Sequence, residues 1–182
     1  AYSNPKMIQG VGATVESITQ NFAVGPIEQT GSALDLAING DGFFTTGGGA
    51  TGETYFTRNG SFDLDENGYI TDGSNNRLQG YPVDATGTPT STTPMDIQIP
   101  AVNGAGASFA GVSIGEDGVV SASYDDGSIE HIGKVALASF IAPSGLKQVG
   151  SSNWQATGLS GSPEYGNPSE GKYGALLSGA LE

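Results

Sequence analysis

With 182 residues and a hydrophobic fraction of 36%, the chain can close one core, alone or with a small lobe, and its lack of cysteine excludes disulfides and thiolate chemistry. Nineteen acidic side chains against six basic ones leave a formal net charge of −13, which serves solubility and argues against nucleic-acid backbones and anionic membranes as partners. No apolar run approaches the roughly 20 residues that span a bilayer, and no signal-peptide pattern opens the chain. Its first residues, Ala1-Tyr2-Ser3-Asn4-Pro5, read as a start cut from a longer protein.

Eight Asn-Gly or Asp-Gly dipeptides, beginning at Asn39, Asp41, Asn59, Asn67, Asp72, Asn103, Asp117 and Asp126, punctuate short alternating or apolar runs. Both central residues of a type I′ turn need positive φ, which Asn, Asp and Gly tolerate best, so the pattern predicts an antiparallel all-β protein. In chain order, residues 10–27 read as one long or bent strand ending at Gly25-Pro26. Leu34 to Ile38 is a strand, turned by Asn39-Gly40-Asp41-Gly42 onto a partner at Phe43 to Thr46, and Gly47 to Gly52 is a flexible loop tip. Tyr55 to Arg58 meets a turn at Asn59-Gly60, Ser61 to Leu64 runs to Asn67-Gly68, and Tyr69 to Thr71 returns. Arg77 to Val83 is a further strand.

Residues 84–96, rich in Thr, Pro, Ser and Gly, read as loop. Asp96 to Pro100 alternates cleanly, and Asn103 to Ala107 reads as a small flexible connector. Strands around Asp117-Gly118 and Asp126-Gly127 complete a meander, and Lys134 to Ile141, the most apolar run, suits a strand buried on both faces, with a short helix as the alternative that periodicity leaves open. After Ala142, Gly, Ser, Pro and Asn dominate around Trp154, and residues 173–182 turn apolar again. No convincing amphipathic helix appears.

Motifs that could carry chemistry are incomplete. Asp63-x-Asp65-x-Asn67-Gly68 matches half of a calcium loop, but the position that needs a bidentate Glu is Ser74, and the alternative is an Asx-rich hairpin. His131 is the sole histidine, too few for a multi-His metal site, and its strand pattern suits the surface or rim. Gly158 to Ser162 misses the second glycine of a nucleophile elbow, and Ser144-x-x-Lys147 lacks its companion motifs. Gly40-x-Gly42 and Gly47 to Gly49 do not precede a helix as a nucleotide fingerprint would. Asn59-Gly60-Ser61 is a glycosylation sequon by pattern only. The expectation is therefore a protein that is not an enzyme, with no catalytic residue, no metal-binding residue and no cofactor.

Leu34-Asp35-Leu36-Ala37-Ile38-Asn39-Gly40-Asp41-Gly42-Phe43-Phe44 closely resembles the signature of bacterial flagellar hook and rod proteins. Tyr55 to Phe62, Asp65 to Ile70, Gly145-Leu146 with Gly150 and Trp154, and Leu177 to Glu182 support it in order along the chain. Arg77 to Pro82 and Ser178 to Glu182 look more like the hook protein than the distal rod protein. The resemblance implies an inner, D1-type β domain over 1–182, in which 84–111 is a loop-rich connector. There, near Asn103 to Ala107, hook proteins usually insert an outer domain that this chain lacks. It also implies terminal coiled-coil helices that would lie beyond both ends of this chain, and a fragment that is itself monomeric.

The expected role is a structural subunit of the hook, self-associating into a helical tube beside rod, hook-cap and hook–filament-junction proteins. It would be exported by the flagellar apparatus and stand in the extracellular flagellum, with no nucleic-acid and no membrane partner. A distal rod subunit is the alternative. The rival of another class is a secreted carbohydrate-binding or adhesin-like β domain, for which Tyr2, Tyr55, Tyr69, Tyr81, Trp154 and Tyr165 are the candidate binding aromatics.

Overall fold

A computed structural model describes residues 22–49 and 51–182. The strands in chain order are β1 (Glu28–Gln29), β2 (Leu36–Asn39), β3 (Phe43–Gly47), β4 (Tyr55–Thr57), β5 (Asp63–Leu64), β6 (Ile70–Thr71), β7 (Arg77–Tyr81), β8 (Met95–Asp96) and β9 (Phe109–Ile114). There follow β10 (Val119–Tyr124), β11 (Ile129–Val135), β12 (Leu137–Ser139), a 3₁₀ turn at Pro143–Gly145, β13 (Lys147–Val149), β14 (Asn153–Gln155), β15 (Glu164–Gly166), β16 (Ala175–Ser178) and β17 (Ala180–Leu181). All pairings are antiparallel. The main network runs β9-β10-β11-β7-β3-β4-β14-β13, while β2 pairs with β16 and β1 with β17.

Strand β3 is the centre of the network. One edge pairs with β4 and the other with β12 at Phe43 and Phe44, then with β7 at Thr46 and Gly47. All five of its residues are buried. Successive strand side chains point to opposite faces, so Phe43 and Phe44 enter different cores. Phe44 joins Leu36, Ile38, Phe62, Leu78, Val120 and Leu137 on one face. Phe43 joins Phe56, Phe140 and Leu146 on the other, with Phe22 and Trp154 packed against them. The second core is a chain of edge-to-face rings: Trp154 on Phe22, Phe22 on Phe43, Phe43 on Phe140 and Phe140 on Phe56, with centroids 4.8 to 5.8 Å apart. Each such pair adds about 0.5–1.5 kcal/mol beyond the area it buries.

Several expectations need correction. The predicted strand over 10–27 lies outside the described residues up to 21, and 22–27 carries no strand. Strands β2 and β3 do not form a hairpin. β2 pairs with β16 instead, and Gly40 and Gly42 (φ +136° and +124°) swing the chain from one sheet into the other. Asn59-Gly60 is not a hairpin turn either, because β4 does not pair with β5. Gly60 is needed for close approach: a Cβ there would lie 1.7 Å from the carbonyl oxygen of Leu36. The apolar run Lys134 to Ile141 is split between two strands, β11 on β7 and β12 on β3 and β15.

The turns also differ in type. Among the described residues, only Asn75 and Ser169 have positive φ without being glycine, so the Asn-Gly and Asp-Gly pairs are not type I′ turns. A four-residue turn recurs instead, with the fourth residue left-handed and its N–H donating to the carbonyl of the first. It spans 65–68, 84–87, 103–106, 115–118 and 124–127, closed by Gly68, Gly87, Gly106, Gly118 and Gly127. Asp72 to Asn75 repeats it with Asn75 (φ +63°) in the glycine place. In four of these turns the first residue is Asp or Asn, and its side chain accepts the amides two and four residues on. These are Asn67 and Tyr69 for Asp65, Ser74 and Asn76 for Asp72, Thr86 and Thr88 for Asp84, and Ala105 and Ala107 for Asn103.

Within 84–111, the turns at Asp84 and Asn103 are fastened by side-chain hydrogen bonds to the backbone. The Asp96 to Pro100 alternation is real, with Ile97 and Ile99 buried in the first core, although only Met95–Asp96 joins a ladder. Asn103, 9% exposed, donates through Nδ2 to Asp126 and Ser128 and so fastens its turn to the β10–β11 turn.

Gly60→Ala should cost about 3 kcal/mol or more in urea unfolding, since backbone and not a flexible tip is struck. Gly73→Ala, with nothing within 4 Å, should stay within about 0.5 kcal/mol of the parent. Asp84 is held below its ordinary 3.8 by the Thr86 hydroxyl first and then by the Thr88 and Thr86 amides. A depressed carboxylate stabilises the fold above its unfolded pKa and loses that contribution as pH falls through the folded value. Asp84→Asn should therefore flatten the dependence of unfolding free energy on pH below about 4, measured by urea titration at a series of pH values.

Candidate functional site

Strand β4 ends in Thr57, and the next residue, Arg58, points back beneath the β2–β3 crossover. The turning glycines aim three carbonyls at its guanidinium. Nη1 donates to the oxygens of Gly40 and Gly42, both at 2.8 Å, and Nη2 to that of Ile38 at 3.1 Å. The remaining donors grip Glu182: Nε to Oε1 at 3.1 Å and Nη2 to Oε2 at 3.2 Å. Arginine carries five donor hydrogens, and each has an acceptor here. Glu182 also accepts the Gly25 N–H through Oε2 at 2.6 Å.

The two side chains are only 13% and 16% exposed, so the pair is substantially desolvated. One guanidinium thus fastens the segment entering the sheet at Gly25, the β2–β3 crossover and the residue after β17. The β1–β17 and β2–β16 ladders hold the same two stretches together along their backbones. Thr30 and Gly31 N–H donate to the Gly179 carbonyl, and Gly179 and Ala180 N–H to that of Asp35. The geometry can fix the direction in which both chain stretches leave the sheet. It offers no reactive group. Sequence reasoning quoted Arg58 within a motif and missed its task; an arginine ending the run Tyr-Phe-Thr in a chain with six basic residues was the available signal.

The motif residues are placed as follows. The Asp65 carboxylate is occupied by two turn amides, which gives the Asx-hairpin reading of Asp63 to Gly68; Ser74 is bound within the separate Asp72 turn. His131 is exposed on β11, and its Nδ1 lies 2.9 Å from Ser121 Oγ across the ladder. Neither nitrogen of this ring has a carboxylate partner among the described residues, and the pair lies on an open strand face. Ser160 is fully buried, with its Oγ bonded to the Thr157 amide and to the carbonyls of Thr157 and Gly161. Ser144 sits in the 3₁₀ turn and Lys147 in β13. Asn59 is exposed, and its Oδ1 accepts the Ser61 N–H.

Among the described residues, the candidate aromatics do not form an exposed row. Tyr55 and Tyr81 are buried, Trp154 meets Phe22 edge to face, and Tyr69 lies under Arg77, whose Cζ is 3.7 Å from the ring centre. Burial pushes the Tyr81 and Tyr165 phenols up. Tyr2 lies outside the described residues. No helix among them is long and apolar enough to cross a membrane.

Replacing Arg58 by Ala strands three carbonyls and the partly shielded Glu182 carboxylate, so thermal or urea unfolding should show a loss of about 2–3 kcal/mol. Arg58→Lys should recover less than half of it, since an ammonium cannot serve five separate acceptors in a plane.

Comparison with known proteins places these features. The family model described as "Flagellar hook protein FlgE/F/G D1 domain" matches residues 37–122, which run from β2 through the crossover to β10. The flagellar basal-body rod protein FlgG of Bacillus subtilis (strain 168) is 35% identical over 99% of this chain and 61% of its own. The flagellar hook protein FlgE of Escherichia coli (strain K12) is 41% identical over 50% of this chain and 23% of its own. The chain thus spans about six-tenths of the rod relative and about a quarter of the hook relative in these alignments. A solved Helicobacter pylori flagellar hook protein, FlgE2, aligns with 71% of this chain and 38% of that one at 16% identity and a TM-score of 0.34, too loose a likeness to carry an argument.

Proposed function

Because this chain belongs to the bacterial flagellar hook and basal-body rod family, we propose that it is the inner β domain of a flagellar hook subunit. In this reading the parent protein polymerises into the curved tube that transmits motor torque to the filament. The carrying observation is the hook/rod family match over residues 37–122, which takes in the crossover that Arg58 clamps. A tube subunit needs a stiff body whose two ends leave it in a fixed relation. The ladders joining residues 28–39 to residues 175–181, locked by Arg58 and Glu182, supply that.

The mechanism is packing, not catalysis. Subunits meet through heterologous contacts that do not close, and polar loops without ion pairs of their own, after β3 at Gly48-Gly49 and before β15 at Gly161 to Pro163, let neighbours slide as the tube bends. Residues 1–182 form one inner domain, and 84–111 stands where an outer domain is inserted in hook proteins. The subunit leaves the cell through the flagellar export apparatus and adjoins rod, cap and junction proteins, while the isolated 182-residue piece stays monomeric.

One observation favours a second reading, a distal rod subunit. The rod relative aligns over 99% of this chain, against 50% for the hook relative.

The deciding experiment is complementation with the full-length parent gene in strains lacking either the hook or the rod protein, scored by electron microscopy of hook–basal bodies. Curved hooks in the first strain are the expected result. Restoration only in the rod strain establishes the second reading, and restoration in neither removes the protein from the flagellar axis.

A further inference from the structure

Between β7, β15 and the loop 89–92 lies a cleft of about 450 Å³, lined by Tyr81, Thr90, Ser91, Thr92, Tyr165 and Asn167 with no charged side chain. Its size falls in the range of roughly 300–1,000 Å³ that small-ligand sites occupy. Its walls are held by the sheet. Tyr81 pairs with Lys134 across the β7–β11 ladder, and Tyr165 with Ala138 across β15–β12. The rim is tied as well: the Thr90 N–H donates to the Pro82 carbonyl at 2.9 Å, and Ser91 Oγ accepts the Thr93 N–H at 3.0 Å.

Three of the lining side chains lack the partners their chemistry asks for. The hydroxyls of Tyr81 and Tyr165 meet no hydrogen-bond partner among the described residues, although Tyr81 is only 5% exposed. A neighbouring phenol, Tyr173, is satisfied, since it donates to the Glu164 carbonyl at 2.6 Å. Asn167 Oδ1 is buried and accepts no hydrogen bond. Its Nδ2 donates to Glu170 at 3.2 Å, which fixes the sense of the amide, because a carboxylate accepts only from the nitrogen end. The broad terminal torsion of an asparagine lets that oxygen turn toward an incoming donor.

The charges beside the cleft are answered within the chain. Lys134 Nζ lies 3.6 Å from Glu170 Oε2, and Lys172 Nζ 2.7 Å from Glu164 Oε1. Burial first, then the Tyr173 and Tyr165 phenols, push the Tyr81 phenol up, so it stays a neutral group that both donates and accepts. An anionic ligand finds no cation on this lining and a molecule of net charge −13 around it. An apolar ligand would cover two phenols and an amide without pairing them, which is unfavourable. What fits is uncharged, carries several hydroxyls, and has an apolar face to lay against an aromatic ring.

We propose that this cleft binds a neutral pyranose sugar, with the Tyr81 and Tyr165 rings against its C–H face and their hydroxyls, together with Asn167, pairing its hydroxyl groups. The site belongs to a single chain and stands independently of the polymer reading.

The test titrates the 182-residue chain with methyl α-glucoside, methyl β-galactoside and N-acetylglucosamine, followed by NMR, with acetate and cyclohexanol as the anionic and apolar comparisons. At least one sugar should move the Tyr81 and Tyr165 ring signals and the Asn167 side-chain amide saturably, with a Kd of about 1–10 mM, while the comparisons leave them in place. Tyr165→Phe keeps the ring and its packing, so Tm should hold while affinity falls about fivefold, as expected for one lost hydrogen bond. Asn167→Ala should weaken binding to a similar degree, and Tyr69→Phe, outside the cleft, should bind as the parent does.

Absence of saturable shifts at about ten times that concentration, or shifts confined to another part of the chain, overturns the proposal. Acetate or cyclohexanol bound in the cleft in place of the sugars overturns the ligand class. Unchanged sugar affinity in both folded variants overturns the assignment of the binding residues.

Discussion

The arrangement depends on a guanidinium that collects three backbone carbonyls where the chain turns from β2 into β3. A chain that leaves one sheet and enters another must release carbonyls at the corner, and a buried carbonyl left unpaired costs roughly 1–3 kcal/mol. Gly40 and Gly42 make the corner sharp, and Arg58 collects its loose ends. Using Glu182 as the last two acceptors carries the constraint to the other end of the sequence. The sheet positions that pair at the two ends, Leu36 with Ser178 and Glu28 with Leu181, would be tied only by short ladders without that grip.

Gly60 explains why the corner can be so tight. The strand carrying Arg58 passes against Leu36 with no room for a Cβ, and the Leu36 N–H donates to the Gly60 carbonyl at 2.9 Å. The run from Tyr55 to Gly60 is therefore one unit: Tyr55 and Phe56 fill the core, Thr57 ends the strand, Arg58 reaches back, and Gly60 lets its own backbone lie against β2. Stiffness here comes from backbone contact more than from apolar area, which suits a chain with 36% hydrophobic residues.

Much of the fold was legible because turn chemistry is local. The hairpins at Asn67-Gly68, Asp117-Gly118 and Asp126-Gly127 fell where the dipeptides stood, and the alternation of Ile97 and Ile99 marked the core face correctly. The turn type was misread because attention rested on the dipeptide. The unit is four residues long, and Asp84-Ala-Thr-Gly87 and Asn103-Gly-Ala-Gly106 contain it with the capping residue at the first position. The false hairpins at Asn39 and Asn59 have a different origin. A glycine that permits positive φ and one that permits close approach look identical in sequence, and only the partner strand, about 140 residues away for β2, tells them apart. The Arg58 site was hidden for the same reason, since its acceptors are backbone oxygens, which every residue carries.

The described residues form a body fastened by its own hydrogen bonds, down to the loops. Four Asx-capped turns, the Thr157–Ser160 knot and the Asn103 tie to Asp126 fix the loops that carry them. If such bodies build a tube that bends, compliance has to reside between subunits, because within each one the corners are locked. Net charge supports this division of labour. Nineteen acidic residues spread over most of the chain disfavour adhesion between copies at arbitrary places. A small apolar contact without paired ions can tilt and re-seat at little cost, since dispersion and burial are not directional, whereas a bidentate ion pair such as Arg58–Glu182 would resist it. The chain keeps its most directional ion pair, Arg58–Glu182, within the subunit, where it locks the corner and leaves bending to contacts between neighbours.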